Sequence, residues 1–454
     1  MMPLTFGQAA AWGGAELWLA EAQRPVRGVV IDSRQAGPDT LFVALPGTRT
    51  DGHRFVREVW RAGATALVQA GFLDRGGPLL VADDPLTSLG EMMRRYIIAN
   101  GIAVVGITGS VGKTSVKELC HAVLATKFVT ARSLGNYNTA IGLPLSFFAA
   151  PPDTTHFVAE MGMSAPGEIR QMTAIAPPAV AVITTIGPSH LERLGSMQAI
   201  ARAKGEILEG LVAGGTAILN HDDARVRELG QRLGLPRVRW YGRHPGVDAV
   251  IEEARLDGNA TLITLRTQDG RLSIRLPWLG VHQADNVAAA VLTGQVFGIE
   301  GETMLRGLET VPTEASRIRV YQAGLVTILE DAYNSSPASA KAALEVLAVR
   351  SGRRVAVLGD MLELGEAEEN GHREIGAYCA GRADWVVGVG QRARWLVDEA
   401  LRNRLAAVWL AARDEARALL EAELRPGDTV LIKASRGMAL EQIGADLRRW
   451  GGPG

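Results

Sequence analysis

The sequence has few cysteines and no long apolar run, and both absences exclude classes of protein. Only Cys120 and Cys379 occur among its 454 residues. Two cysteines so far apart supply neither a disulfide framework nor the ligands of a structural zinc site, and they fit a reducing compartment. No apolar stretch approaches the roughly 20 residues that a membrane-spanning helix needs. The first residues lack a basic segment and include Glu16 and Glu21, so they do not resemble a signal peptide. We therefore expect a soluble cytoplasmic protein without a membrane span.

The chain also lacks a long basic run. Its net charge is −1, so nucleic acid is not expected as a partner. Lysine is scarce among its 48 basic residues, occurring only at Lys113, Lys117, Lys127, Lys204, Lys341 and Lys433. Because lysine is a compact donor that can lose its proton and arginine cannot, such a sequence is expected to keep lysine where arginine cannot act. This reasoning selects Lys113, Lys204 and Lys433, with a surface lysine as the alternative for any one of them.

The order of strands and helices predicts an α/β fold. At 454 residues the chain is too long for one core, and several domains are expected. Short apolar strands alternate with helix-like stretches throughout, which favours mainly parallel sheets. The interruptions of this pattern along the chain predict three domains, at residues 1–82, 83–312 and 313–454. The segment "GVGQRA" at 388–393 lacks the last glycine of a dinucleotide fingerprint, and we interpret it as a plain turn between a strand and a helix.

The stretch "GITGSVGKTS", residues 106–115, predicts a phosphate-binding loop of a variant type. An apolar run precedes it and a helix-like pattern follows, which is the context that such a loop requires. Backbone N–H groups at a helix N-terminus favour phosphate oxygens. Lys113 would reach the β- and γ-phosphates and the Thr114 hydroxyl would bind Mg²⁺. The usual glycine is replaced by Ile107, so the spacing indicates a subfamily; an ordinary turn is the alternative.

Glu160, His190 and Lys204 form a second group of candidates. Glu160 ends an apolar strand, and an acid placed beside a phosphate loop commonly anchors Mg²⁺. His190 follows another strand, and Lys204 comes fourteen residues later. Each residue alone is more typical of a solvated loop, but together they are arranged as if directed at one point.

These motifs resemble those of the Mur ligases, the ATP-dependent amide-forming enzymes of peptidoglycan synthesis. The segments that carry the resemblance are "TGSVGKTS", "GNYNTAIGLPLS", "HQADNVAAA", "SRIRV" and "EDAYNSSP", together with the acid, histidine and lysine of the second group. The family uses Thr-Gly-x-x-Gly-Lys-[Thr/Ser], which explains the displaced glycine. The resemblance covers nearly the entire chain. It implies an N-terminal α/β domain for a UDP-linked substrate, a central P-loop-type parallel-sheet domain for ATP and a C-terminal Rossmann-like domain.

The resemblance also implies three sets of site residues. The ATP-binding set is Thr108, Gly109, Ser110, Val111, Gly112, Lys113, Thr114, Ser115, Asn286, Arg317 and Asp331. The set for two Mg²⁺ ions is Thr114, Glu160, His190 and Lys204, the last as a carbamate. The set for the other substrates is Ser33, Arg34, Asn136, Asn138, Thr139, Tyr333, Asn334, Lys433, Ser435 and Arg436. The implied catalytic residues are Lys113, Glu160, His190 and Lys204.

The implied reaction is amide formation through an acyl phosphate. The segments "DSR", "LFVALPG", "DGHRF" and "VLGDMLELG" are similar to those of members that join D-alanyl-D-alanine to UDP-N-acetylmuramoyl-tripeptide, and we expect a monomer. The chain departs from those members at Ser335-Ser336 and at Ala434. Addition of a single amino acid, or of glutamate to folate, stays an alternative. A nucleotide-dependent switch is disfavoured, since no lysine has the Asn-Lys-x-Asp context that reads guanine.

Overall fold

The structure is a computed structural model that describes residues 3–47, 50–188 and 191–451. Within these residues the chain forms three successive α/β regions, each built around its own large sheet. The predicted α/β class is therefore confirmed. The domain boundaries at 82/83 and 312/313 stay predictions.

The N-terminal region has a five-stranded sheet in the order β2-β7-β6-β5-β4 and a two-stranded sheet of β1 and β3. Strands β4 to β7 run parallel, and β2 is antiparallel to β7. The strands are β1 (Leu4–Thr5), β2 (Glu16–Trp18), β3 (Pro25–Val26), β4 (Gly28–Val30), β5 (Thr40–Val43), β6 (Thr65–Gln69) and β7 (Leu79–Ala82); the helices are α1 (Phe6–Gly13), α2 (Val56–Arg61) and α3 (Pro85–Asn100).

The central region has a nine-stranded sheet in the order β16-β15-β14-β13-β12-β11-β8-β10-β9 within the described residues. Its strands are parallel up to β14, and β15 and β16 extend one edge as an antiparallel ribbon. The strands are β8 (Ala103–Thr108), β9 (Thr130–Arg132), β10 (His156–Glu160), β11 (Val180–Ile183), β12 (Thr216–Asn220), β13 (Val238–Gly242), β14 (Ala249–Asp257), β15 (Ala260–Thr267) and β16 (Gly270–Leu276). The helices are α4 (Lys113–Leu124), α5 (Gly142–Phe148), α6 (Glu168–Ile175), α7 (Leu191–Leu194), α8 (Met197–Glu209), α9 (Ala224–Arg232), α10 (Gln283–Val296) and α11 (Gly301–Glu309).

The C-terminal region has a six-stranded sheet in the order β17-β18-β22-β19-β20-β21, parallel except for β17. The segment 388–393 connects β20 to α14, as the predicted plain turn does. The strands are β17 (Arg319–Ala323), β18 (Val326–Asp331), β19 (Arg354–Gly359), β20 (Trp385–Val389), β21 (Ala406–Leu410) and β22 (Thr429–Lys433); the helices are α12 (Pro337–Ala348), α13 (Glu368–Tyr378), α14 (Ala393–Arg402), α15 (Arg413–Glu423) and α16 (Glu441–Trp450).

The N-terminal and central regions share one hydrophobic core through α3. Tyr96 on this helix contacts Trp12 of α1 edge-to-face, with ring centroids 5.8 Å apart. On its other side Tyr96 meets Phe147 and Phe148 of α5, at 5.6 and 6.4 Å. Such aromatic pairs stabilise a contact beyond the area they bury. The first sheet is thereby packed firmly against the central region.

Helix α3 has 16 residues. A membrane span needs about 20. In the described ranges, no helix combines the length and the apolar composition that crossing a bilayer requires.

Candidate functional site

The candidate site lies where the carboxyl ends of the central strands face the C-terminal region. Strand β8 is flanked by β10 and β11, so the loops that follow these three parallel strands meet at one edge of the sheet. A cavity of about 680 Å³ opens there, between the two regions. Most of the predicted site residues line it.

The predicted phosphate loop connects β8 to α4 and is held from the next strand along the sheet. Gly112 precedes the helix with φ +87°. The Ser110 N–H donates to the carbonyl of Thr185 at 2.8 Å, and the Ser110 hydroxyl donates to the carbonyl of Gly187 at 2.9 Å. The loop after β11 therefore fixes the shape of the loop after β8.

Lys113 is the first residue of α4, and its ammonium turns back over the loop. Its Nζ donates to the carbonyl of Gly109 at 2.8 Å. Burial lowers the pKa of Lys113; Glu160 opposes this shift and Arg317 adds to it. The side chain thus stands at the loop with backbone N–H groups beside it, an arrangement suited to the oxygens of a polyphosphate.

We expect Gly109→Ala to disrupt the phosphate loop. Gly109 has φ +151°, and a Cβ built there would lie 1.9 Å from Oγ1 of Thr184. That hydroxyl already donates to the carbonyl of Val111 at 2.5 Å, so it cannot move without releasing the loop. Calorimetry should find nucleotide binding lost.

Gly234→Ala is the matched control. Gly234 has φ +55°, and a Cβ built there would have no atom within 4 Å. The substitution should cost about 1 kcal/mol of stability and leave nucleotide binding unchanged. An unaltered affinity in Gly109→Ala would contradict this account.

Glu160 ends β10 opposite the phosphate loop and is 3% exposed. Its Oε2 accepts a hydrogen bond from the Thr114 hydroxyl at 2.9 Å, and its Oε1 accepts one from Nδ2 of Asn138 at 3.1 Å. Its own N–H donates to the Ser133 hydroxyl at 3.1 Å. The structure therefore brings together the predicted residues Thr114, Asn138 and Glu160.

The donors at this point are oxygen atoms, as Mg²⁺ requires. The Thr114 hydroxyl and the Glu160 carboxylate face each other, so these two residues fit a magnesium ion. Among the described residues, no three His, Cys, Asp or Glu side chains group as metal ligands. His190, the third predicted ligand, lies outside the described residues.

Lys204 lies on α8 and is 2% exposed. Burial, and next the nearby charge of Lys113, lower its pKa well below the ordinary value. No acidic side chain in the described part of the chain forms an ion pair with it. A surface lysine is thus the wrong interpretation of Lys204, and its amine is placed where the neutral form is favoured.

Asn286, on α10, closes the site from above the phosphate loop. It is 7% exposed, and its Nδ2 donates to Oε1 of Gln283 at 2.8 Å. A Cβ on Gly112 would lie 2.8 Å from Oδ1 of Asn286. The side chain therefore reaches the rim of the loop.

Arg317 enters the site from the segment that joins the central and C-terminal regions. Its Nη2 donates to the Thr114 hydroxyl at 2.5 Å, and its guanidinium lies 4.0 Å from the ring centre of Tyr333. Arg436 approaches the same ring at 5.3 Å. Arg317 and Tyr333 line the cavity, and Arg436 lies beside the same ring outside the lining. This combination of cations and an aromatic ring suits anionic ligands.

Asp331 and Lys433 end adjacent strands, β18 and β22, and form a buried pair. Lys433 Nζ donates to Oδ2 of Asp331 at 2.6 Å and to the carbonyl of Asn334 at 3.0 Å. Burial raises the pKa of Asp331, and Lys433 opposes that shift. Lys433 is 1% exposed, so the surface-lysine alternative is wrong here as well.

Ser435 supports the loop after β19. Its hydroxyl accepts a hydrogen bond from the N–H of Leu362 at 2.9 Å. Ser435 is 3% exposed and does not belong to the cavity lining. The two departures in the tyrosine segment, Ser335 and Ser336, both line the cavity, and Ser336 is also the N-cap of α12. Both positions thus carry short polar side chains at the connection between β18 and α12.

Eight of the predicted residues that the structure describes lie outside the cavity lining: Ser33, Arg34, Thr108, Gly109, Thr139, Lys204, Ser435 and Arg436. Ser33 and Arg34 belong to a short 3-10 helix in the N-terminal region, where Arg34 pairs with Asp32 at 2.6 Å and lowers its pKa to about 2. The Thr139 hydroxyl accepts a hydrogen bond from the N–H of Gly142, at the start of α5. Thr108 and Gly109 also lie behind the lining and give the phosphate loop its shape.

Sequence reasoning missed one wall of the cavity. Thr184 and Thr185 follow β11, Asp222 and Asp223 follow β12, and all four line the cavity. Polar residues directly after an apolar strand were the available signal, in "VITTIG" and "ILNHDD". Because the carboxyl ends of parallel strands share one edge, these residues necessarily face the phosphate loop.

A phosphate loop with a facing acid, set between two α/β regions, defines a nucleotide-dependent enzyme of the phosphate-loop class. The more specific grouping comes from similarity to known proteins. The Mur ligase middle domain matches residues 107–294, the "Mur ligase, glutamate ligase domain" matches 316–436, and the "Mur ligase family, catalytic domain" matches 25–72. The chain belongs to the Mur ligase family.

Relatives are similar over nearly their full length. The UDP-N-acetylmuramoyl-tripeptide–D-alanyl-D-alanine ligase of Bacillus subtilis (strain 168) is 37% identical, covering 94% of each chain. The enzyme of that name from Escherichia coli (strain K12) is 33% identical, covering 91% of this chain and 92% of its own. Among solved structures, MurF from Acinetobacter baumannii superimposes with TM-score 0.90 at 29% identity, covering 99% of both chains. The MurF ligase from Thermotoga maritima in complex with ADP gives 0.83 at 28% identity, covering 94% of this chain and 98% of its own.

Proposed function

We propose that this chain is an ATP-dependent ligase that joins D-alanyl-D-alanine to UDP-N-acetylmuramoyl-tripeptide. The observation that carries the proposal is the 37% identity over 94% of both chains to a ligase named for those substrates. A folylpolyglutamate synthase from Mycobacterium tuberculosis shares only 18% identity. That likeness supports a common fold and gives no reason to prefer addition of glutamate.

The phosphate loop would bind the β- and γ-phosphates of ATP. The substrate carboxylate attacks the γ-phosphorus to give an acyl phosphate and ADP. The amine of D-alanyl-D-alanine then attacks the acyl carbon, and phosphate leaves as the amide forms. A carboxylate approaching a polyanion meets charge repulsion, so cations and N–H dipoles supply much of the catalysis. Lys113 and Arg317 would be two of these cations; the contact of Lys113 with the phosphate loop and that of Arg317 with Thr114 support this.

Thr114 and Glu160 would hold one Mg²⁺, and His190 with carbamylated Lys204 would hold a second. Bound magnesium would neutralise phosphate charge and bring the carboxylate in line with the γ-phosphorus. The hydrogen bond between Thr114 and Glu160 and the buried amine of Lys204, which has no ion-pair partner among the described residues, support this assignment.

The other assignments follow the division into regions. Residues 1–82, with Ser33 and Arg34, would hold the UDP portion, 83–312 the ATP and 313–454 the dipeptide. Asn286 would face adenine, Arg317 and Asp331 would contact the nucleotide, and the remaining polar residues of the substrate set would contact peptide. We place a monomer in the cytoplasm, which fits the free, buried thiols of Cys120 and Cys379.

Phosphate release tests the proposal directly. Purified protein with ATP, Mg²⁺ and UDP-N-acetylmuramoyl-tripeptide should release little phosphate, because a closed site shields the acyl phosphate from water. Adding D-alanyl-D-alanine should start turnover, with a UDP-linked pentapeptide identified by mass spectrometry. D-Alanine alone should restore little.

The controls separate the alternatives. Full turnover with a single amino acid, or with a folate and glutamate, would replace the proposal by the corresponding ligase activity. Phosphate release that needs no acceptor at all would favour a nucleotide-dependent switch. Both lysine and diamino-acid tripeptides should be supplied, so that an unsuitable third residue is not mistaken for inactivity.

A further inference from the structure

Lys117 is buried beside the candidate site, although it belongs to none of the predicted sets. It lies on α4, one turn after Lys113, and is 1% exposed. Its Nζ donates to the carbonyl of Gly135 at 3.1 Å and lies 3.3 Å from Glu118 and 3.7 Å from Glu160. A lysine is almost never buried so completely unless its charge is paired. The three contacts account for its burial.

The two carboxylates near Lys117 are not equivalent. Glu118 has a second cation, because Nε of Arg132 lies 2.7 Å from its Oε2. Glu160 is 3% exposed and faces the phosphate loop. Glu160 therefore depends more on the charge of Lys117 than Glu118 does. The oxygens of Glu160 must stay directed at the site.

The carbonyl contact reaches the segment that carries the predicted substrate residues. Gly135 directly precedes Asn136, which lines the cavity. Three residues after Gly135, the side chain of Asn138 donates to Oε1 of Glu160 at 3.1 Å. One buried ammonium thus ties α4, the end of β10 and the segment 135–138 together.

Lysine suits this position better than arginine. A single compact charge on a flexible stem can meet a carbonyl and two carboxylates that approach from different directions. A guanidinium is planar and wider, and its fork matches one carboxylate at a time. In a chain with six lysines among 48 basic residues, this position is one where arginine does not do the same work.

We propose that Lys117 is a positioning residue that fixes the segment 135–138 and the Glu160 carboxylate against the phosphate loop. It joins the part of the site that faces the UDP-linked substrate to the part that faces the nucleotide. The loop N–H groups do not depend on it, so nucleotide binding and substrate alignment should separate when it is removed. The inference rests on the proposed function.

The test compares Lys117→Met and Lys117→Gln with Glu118→Gln and the unsubstituted protein. Three readouts are used: ADP affinity in EDTA, kinetics with the UDP-linked tripeptide, and hydrogen exchange of the segment 134–139.

In both Lys117 variants ADP affinity should stay within about threefold, since the loop N–H groups remain. Their kcat/KM for the tripeptide should fall by about 10- to 100-fold. Hydrogen exchange should accelerate at 134–139 and not in α4. Glu118→Gln, which leaves Glu160 and Gly135 in contact with Lys117, should behave as the unsubstituted protein.

Each other outcome overturns the inference. Unchanged kinetics and exchange would show that the contacts have no consequence. Equal losses of ADP affinity and turnover, a matching defect in Glu118→Gln, or failure of both Lys117 variants to fold would assign the lysine to general stability. If the unsubstituted protein releases no phosphate with the dipeptide, the proposed function fails instead, and the exchange measurement still decides the role of Lys117.

Discussion

Lys113→Ala should lower kcat/KM by at least about 100-fold, or roughly 3 kcal/mol of transition-state stabilisation. The Lys113 ammonium stands over the phosphate loop, held at 2.8 Å by the carbonyl of Gly109. A bound triphosphate would offer it oxygens whose charge grows as the γ-phosphoryl group transfers. Closure of the C-terminal region over the bound substrates would leave little water to replace the lost charge. Steady-state phosphate release measures the effect.

The matched control is Lys127→Ala. Lys127 comes soon after the same helix ends, and its Nζ donates to the carbonyl of Gly298 at 2.8 Å on the surface. Its loss should change kcat/KM by less than about threefold, since an exposed contact contributes little. Near-normal turnover in Lys113→Ala would mean that the loop has a structural role only. Thermal unfolding of both variants should stay close to that of the unsubstituted protein.

The phosphate loop could be predicted because its residues are consecutive. Residues 106–115 contain the end of a strand, a tight turn and the start of a helix, so a local sequence pattern includes the entire phosphate-binding loop. The contacts that hold the loop could not be predicted in this way. Ser110 bonds to residues 75 and 77 positions later, and that pairing depends on the sheet order β11-β8-β10, which no local pattern encodes.

Lysine scarcity predicted positions but not their partners. Lys433 was predicted as a site residue because lysine is rare in this sequence. The structure shows that its partner is Asp331, which is 102 positions away in the chain. The wall that includes Asp222 and Asp223 was not among the predicted site residues. It belongs to the cavity only because β12 lies beside β11 in the sheet. Long-range topology, and not residue chemistry, was the missing information.

The resemblance to the Mur ligases predicted site residues that sequence patterns alone did not identify. Asn286 lies at the rim of the phosphate loop and Arg317 contacts Thr114. The nucleotide contacts that the resemblance implies for both residues stay predictions. Ser33 and Arg34 lie in another region, beyond the cavity lining, and their role stays a prediction. A substrate with a UDP group and a peptide is long enough to bridge separate parts of a protein, so a binding set spread over two regions is physically reasonable.

Lys204→Arg and Lys204→Ala should both be nearly inactive and still folded. An amine reacts with CO₂ only in its neutral form, and burial together with the charge of Lys113 lowers the pKa of Lys204. The proposed carbamate would be an oxygen ligand of the carboxylate type. Arginine cannot replace it, because the guanidinium stays protonated and forms no carbamate of this kind. Phosphate release should fall at least about 100-fold in each variant, whereas Lys341→Arg, at a partly exposed ion pair with Glu374, should not differ from the unsubstituted protein.

Chemical rescue and a direct signal separate this mechanism from a plain buried amine. The space left in Lys204→Ala should admit a short carboxylic acid that restores part of the activity, and Lys204→Arg should gain nothing from it. Protein equilibrated with ¹³C-bicarbonate should give a carbamate resonance that both variants lack, a readout independent of turnover. Full activity in Lys204→Arg, or an unmodified amine in a high-resolution map of active protein, would refute the carbamate. An exposed lysine in an ion pair would lose at most about 1 kcal/mol on substitution, and the 2% exposure of Lys204 already argues against so small an effect.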